Sequence, residues 1–217
     1  MFHRLFLRYL KIIALLTVFE LSTFPALAQQ CGLLQGTAPG TLVSYLSTTA
    51  TNQANAACIA SAINQLGSQR YAPAIPVLTK FLDFRWPVGA RQHQRLYVLE
   101  HDGASIYPAA TALEQIGKNS LPAVLNAIKG APISPQAMEV AVSVWMTIYK
   151  GQAPTAVAML KQVADNTKDP AQRQRLGWAA SVAAMGWCSP AEQDQCKGAA
   201  KTRYSNSVSP GILPESH

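Results

Sequence analysis

The chain has 217 residues, 49% of them hydrophobic and 13% charged, with a formal charge of +7. This balance excludes a disordered chain, and the length allows one core or a short array of repeats. No apolar run after residue 28 reaches membrane length; the run around Val140 to Ile148 is bounded by Glu139 and Lys150.

Residues 1–28 read as a secretory signal peptide. Arg4, Arg8 and Lys11 form its basic region, Ile12 to Phe19 its apolar stretch, and Ala26-Leu27-Ala28 a small-x-small cleavage site. An uncleaved anchor would need about 20 apolar residues, whereas Lys11 and Glu20 bound this stretch. Gln29 and Gln30 separate the cleavage point from Cys31, which argues against a lipid anchor. There is no Asn-x-Ser/Thr acceptor. The expected address is therefore the bacterial periplasm or the exterior, without stable membrane insertion after cleavage. Cleavage leaves 15 Lys and Arg against 10 Asp and Glu, a charge of +5. That excess fits either ordinary solubility or attraction to an anionic partner; an exported protein meets little nucleic acid.

From Gln29 the mature domain is expected to run to about residue 198, and the polar residues 199–217 to form a flexible tail. Residues 29–38 form a strap. Pro39-Gly40 introduces a short helix with Leu42, Tyr45 and Leu46 on one face. Asn52 or Asn55 caps the next helix, which carries Ala57, Ile59, Ile63 and Leu66 and is stopped by Gly67 through a left-handed backbone. Pro73 opens its partner, with Ile75, Val77, Leu78, Phe81 and Leu82. An insertion at about residues 84–103 follows.

Beyond it the pattern returns. Ile106, Ala109, Ala110, Leu113 and Ile116 mark a helix ending at Gly117, and Ser120 is expected to cap a second one begun by Leu121-Pro122. A third pair uses Val140, Val144, Trp145 and Ile148 before Gly151, then Pro154, Val157, Leu160 and Val163. The fourth begins at Asp169-Pro170, carries Leu176, Ala179, Ala180 and Ala183, and stops at Gly186 before a short helix after Pro190. Trp145 and Trp178 fall on apolar stretches and read as core, and Trp187 as a cover for the last layer.

These copies are self-similar: Ala62-Ile63-Asn64-Gln65-Leu66-Gly67 recurs as Ala112-Leu113-Glu114-Gln115-Ile116-Gly117, and the four glycines are spaced 50, 34 and 35 residues apart. A period near 34 residues with proline opening and glycine closing the helices predicts an all-α fold, an α-α superhelix of about four helix pairs. In such an array the ends of the chain lie far apart, and a disulfide needs Cα atoms within about 7 Å. The cysteines are thus expected to pair as Cys31–Cys58 and Cys188–Cys196, the second only if the helix after Ser189-Pro190-Ala191-Glu192 is short or the chain folds back.

The residues Ala112 to Gly117 with Leu121-Pro122-Ala123-Val124-Leu125, and Ala62 to Gly67 with Ala74-Ile75-Pro76-Val77-Leu78, resemble short HEAT repeats of the phycobilin-lyase type over about residues 54–187. The resemblance implies a stacked helical scaffold whose usual role is protein binding. The third and fourth copies lack the Ala-Leu pair, and the Asp and Arg that often mark repeat junctions are sparse. Tetratricopeptide repeats share the period but place glycine inside the first helix, not at its end.

The insertion is the sharpest anomaly. Arg85, Trp86, Arg91, His93, Arg95 and Tyr97 alternate cations with aromatics, a composition able to grip carboxylates or phosphates and stack on a ring or sugar face. Alternatively Trp86, Leu96, Tyr97 and Leu99 pack the loop on the array and the arginines are merely solvated. No nucleophile elbow, phosphate loop or metal spacing accompanies them, and Glu100-His101-Asp102 fits a polar turn. The expected function is a non-enzymatic, cofactor-free scaffold for an envelope protein, with no catalytic or metal residues. The alternatives are a polysaccharide or small-ligand binder using the insertion, or a lyase-like enzyme suggested by the repeat resemblance alone.

Overall fold

The computed structural model describes residues 31, 34–52, 54–86, 106–130 and 134–200. The chain divides into two units, Met1–Thr37 and Ala38–His217. In the first, the described residues form a turn in which the Leu34 N–H donates to the Cys31 carbonyl and the Thr37 N–H to the Leu34 carbonyl.

The second unit is all-α among its described residues. Helix α1 spans Pro39–Thr48, α2 Ala56–Ser68 and α3 Ile75–Leu78; then come α4 (Pro108–Ile116), α5 (Leu121–Lys129), α6 (Pro135–Ile148), α7 (Ala153–Asn166), α8 (Pro170–Gly186) and α9 (Gln193–Ala200). Proline stands in the first turn of α1 and of every helix from α3 to α8, where its fixed φ suits the helix and its missing N–H costs nothing. Helix α3 is a single turn flanked by 3-10 turns at Ala72–Ala74 and Thr79–Phe81. The partner helix expected there is broken at Pro76, which lacks the N–H that a helix continuous from Ala72 would need, so that α3 begins anew around it.

Packing runs in chain order. Helix α2 lies on α4, α4 on α6 and α6 on α8, while α5 packs on α6, α7 most extensively on α8, and α9 on α7 and α8. Ile59, Ile63 and Leu66 of α2, Leu113 of α4, Val124 and Ile128 of α5, Val140 and Val144 of α6, Leu160 of α7 and Leu176 of α8 are fully buried. Helix α6 sits centrally. Every residue from Val140 to Met146 is buried, including Ser143, and its Trp145 ring donates Nε1–H to the Ala156 carbonyl of α7 at 3.2 Å. Trp178 is only half-buried, so it is not the core residue its apolar setting suggested.

Helix ends depart from expectation in instructive ways. Helix α2 continues through Gly67 to Ser68, and the left-handed residue beyond it is Arg70, φ 49°. The Arg70 N–H donates to Gly67 and the Tyr71 N–H to Leu66, a Schellman closure with arginine in the seat usually held by glycine. Gly117 and Gly151 do adopt positive φ, 79° and 78°. Gly186 is simply the last residue of α8. Ser120 does not cap α5; its hydroxyl turns back to the carbonyls of Leu113 and Gly117 at 3.0 and 2.7 Å. Asp169 caps α8 as expected, accepting from the N–H groups of Ala171 and Gln172.

Cys188 and Cys196 are bonded, with Cα atoms 6.5 Å apart. The chain achieves this by turning through Pro190–Glu192, so that α9 begins only at Gln193. The Ser189 N–H donates to the Glu192 carboxylate, and Gln193 Nε2 donates to the Cys188 carbonyl at 2.9 Å. Cys31 and Cys58 each belong to a disulfide, and no cysteine is free.

Candidate functional site

The base of the insertion is where cationic, acidic and aromatic groups converge. The chain leaves the core after Phe84 and returns at Tyr107; between them the Trp86 N–H donates to the Ile106 carbonyl at 2.9 Å and holds the two limbs together. Phe81 and Phe84 pack edge to face with centroids 6.0 Å apart, anchoring the outgoing limb. Arg85 is exposed and Trp86 half-exposed. Arg91, His93, Arg95 and Tyr97 lie outside the described residues, as do Glu100, His101 and Asp102.

Several groups that sequence reasoning did not single out stand here. Tyr107 is buried at 2% exposure. Burial raises its phenol pKa, the Arg85 charge opposes the rise, and Glu139 and Asp83 add to it. Burial also raises the Glu139 carboxyl. Asp83 accepts a hydrogen bond from the Ser134 hydroxyl at 3.1 Å, and that hydroxyl in turn accepts from the Ala137 N–H as the N-cap of α6. The insertion's root is thus tied to the start of the central helix. The only sequence signal for this tie was Ser134-Pro135, a serine before a first-turn proline; the partner 51 residues away was not legible.

Such a site can present an exposed guanidinium next in sequence to a half-exposed indole. Among the described residues no three His, Cys, Asp or Glu side chains come together in a way that could hold a metal ion. No described helix is long and apolar enough to cross a membrane.

A second ionisable group lies between α4 and α6. Glu114 is largely buried, and the Thr147 hydroxyl hydrogen-bonds its carboxylate; burial outweighs that bond and pushes its pKa up to about 7. At the other end of the unit, Arg175 of α8 places Nε 2.8 Å from the Lys129 carbonyl and directs Nη2 to the same atom, closing the C-terminus of α5 with a cation.

Comparison with protein-family models, with curated proteins and with solved structures gives no match to this chain.

Proposed function

We propose that this protein is an exported, non-enzymatic scaffold of short HEAT-like repeats that binds a protein partner in the bacterial envelope. The observation that supports it most is the packing order: α2, α4, α6 and α8, the first helices of four successive sequence copies, each lie on the next. That order is the one expected of an α-α superhelix, a fold whose long faces suit a macromolecular partner better than a small substrate. Two disulfides fit an oxidising compartment, and the basic and apolar features of residues 1–28 fit export. The root of the insertion, with Arg85 exposed beside Trp86, is the favoured contact for that partner.

The test is affinity capture from an envelope extract of the source organism with the mature chain and its Arg91→Ala/Arg95→Ala variant. A specific protein retained by the first and lost by the second supports the reading. Equal recovery moves the contact away from the insertion, and no specific recovery removes the scaffold role.

Arg85 and Trp86 side by side also favour a second reading, an anionic polysaccharide held by charge and stacking. Salt-sensitive retention on such a polymer, absent from neutral polymers, separates it from protein binding.

A further inference from the structure

The end of the helical unit remote from the insertion carries a row of exposed cations. Gly67, close to the end of α2, has no room for a β-carbon because Ala112 and Gln115 of α4 stand there. Glu114, close to the end of α4, is hydrogen-bonded by Thr147, close to the end of α6. These contacts bring the C-terminal ends of α2, α4 and α6 together, at the end opposite the one where the insertion joins α4. Arg70, Lys118 and Lys150 each stand two residues beyond their helix, and all three are exposed. Packed helices lie about 8–10 Å apart, so the cations recur at that interval.

No exposed acid stands among them. From Gln29 to Leu82 the sequence holds no Asp or Glu, and the turns after α4 and α6 hold none. Glu114 is largely buried between α4 and α6. Asp83, Glu139, Asp165 and Asp169 lie toward the other end, where α6 and α8 begin and α7 finishes. Among the described residues none of the three cations forms an ion pair. The row stops at α8, which is followed by Glu192 and Asp194. A helix dipole favours a positive charge past a C-terminus. It does not account for Arg70, which takes up a left-handed backbone at φ 49° where glycine would be unstrained. A strained residue with an exposed, uncompensated charge marks a surface put to use.

We propose that this row binds a linear anionic polysaccharide, with Arg70, Lys118 and Lys150 each taking an acidic group of the polymer. Three cations in line at helix spacing suit an extended chain of repeated charges better than one compact anion. Exposed Gln69, Asn119 and Gln152 neighbour the cations in sequence and can pair with sugar hydroxyls, and Tyr71 and Tyr149 offer half-buried rings next to Arg70 and Lys150. A run of peptide carboxylates would leave those amides and rings unused. None of the three turns exposes a large apolar side chain that could enter a membrane. The choice of a polysaccharide over nucleic acid rests on the expected export of the chain. The surface itself is remote from Arg85 and Trp86 and depends on neither reading of the insertion.

Calorimetric titration of the mature, disulfide-intact chain with polygalacturonate tests it. Binding should weaken as salt is added, and neutral dextran should not bind. Arg70→Gln/Lys118→Gln/Lys150→Gln should lose about tenfold or more in affinity, while Lys80→Gln/Lys129→Gln/Lys168→Gln, which removes equal charge elsewhere, should stay within about twofold of wild type. Arg70→Gly should also weaken binding without lowering the thermal midpoint, which separates lost affinity from lost folding. A chain that does not bind the polymer overturns the proposal. So does an equal loss in the two triple variants, which would mean unspecific attraction, or a loss confined to Arg85→Gln/Trp86→Ala, which would place the polymer on the insertion. Tighter binding of polyglutamate, single-stranded DNA or anionic lipid vesicles through the same three cations overturns it in favour of that occupant.

Discussion

Gly67 of α2 lies directly against Ala112 of α4: a β-carbon built on Gly67 would stand 2.7 Å from the Ala112 Cα and 2.8 Å from its Cβ, with Gln115 Oε1 at 2.6 Å. Two of these atoms belong to Ala112 near the backbone and cannot swing aside. The glycine at the end of the first repeat is therefore a packing requirement between neighbouring copies. Gly67→Ala forces α2 and α4 apart, and the expected loss is about 2 kcal/mol, within the range for overpacked cores. Urea denaturation should show a lower midpoint with an unchanged m-value. A stability within experimental error of wild type would mean that the two helices do not meet this closely.

Arg70 carries the strain that Gly67 does not. Its φ of 49° places it in the left-handed region, where a side chain costs roughly 1–2 kcal/mol, partly offset in glycine by greater freedom of the unfolded chain. Its side chain is exposed. Arg70→Gly should therefore stabilise the protein by about 0.5 kcal/mol or slightly more, read as a rise in the thermal midpoint. Destabilisation would instead show that the arginine makes a contact worth more than the strain.

These two residues show what the sequence carried and what it concealed. The motif Ala-x-x-x-x-Gly repeated 50 residues apart marked the end of α4 at Gly117 but not that of α2, which runs through Gly67 to Ser68, and apolar periodicity placed Ile59, Ile63, Leu113, Val144, Leu160 and Leu176 in the core, where they are buried. Those signals are local, because a helix buries one stripe whatever its neighbours are. Which force held each glycine was not local. Gly117 has positive φ and open space around its missing β-carbon, whereas Gly67 has ordinary angles and no space at all. The same letter in the same frame answers to two different constraints. Asp83 with Ser134 and Arg175 with Lys129 were hidden for a related reason, since each joins residues 51 or 46 positions apart that no periodicity relates.

Ser120 gives a third expectation. Fully buried, it returns its hydroxyl proton toward the Leu113 and Gly117 carbonyls and so ties the end of α4 to the start of α5. Ser120→Ala should cost about 1 kcal/mol, the usual net value of a buried hydrogen bond. Ser47 is the internal comparison: its hydroxyl donates to the Val43 carbonyl at 2.8 Å, but in the open. Ser47→Ala should change stability by less than about 0.5 kcal/mol. Equal losses at both sites would show that burial adds nothing to the Ser120 bond.

Glu114 makes stability depend on pH across the neutral range. Among the described residues packed on α4, α2 and α3 contain no charged residue, α6 contains only Glu139, eight residues before Thr147, and the one cation, Lys118 of the Gly117–Ser120 turn, is exposed. Burial therefore raises its pKa from 4.5 to about 7 in the folded state, with the Thr147 hydroxyl relieving only part of the cost. Because the folded pKa lies above the unfolded one, the folded chain binds more protons than the unfolded chain between these values. The contribution to stability is complete below about pH 4.5 and is lost as the pH rises through 7. The shift sets an upper bound of about 3 kcal/mol on that loss. Urea midpoints of the wild type should fall between pH 5 and pH 8 more steeply than those of Glu114→Gln, whose amide has the same shape and no proton to lose. The variant should also be the more stable of the two at pH 8. Parallel profiles for the two proteins would show that Glu114 keeps its charge in the folded chain, and that water reaches the α4–α6 seam.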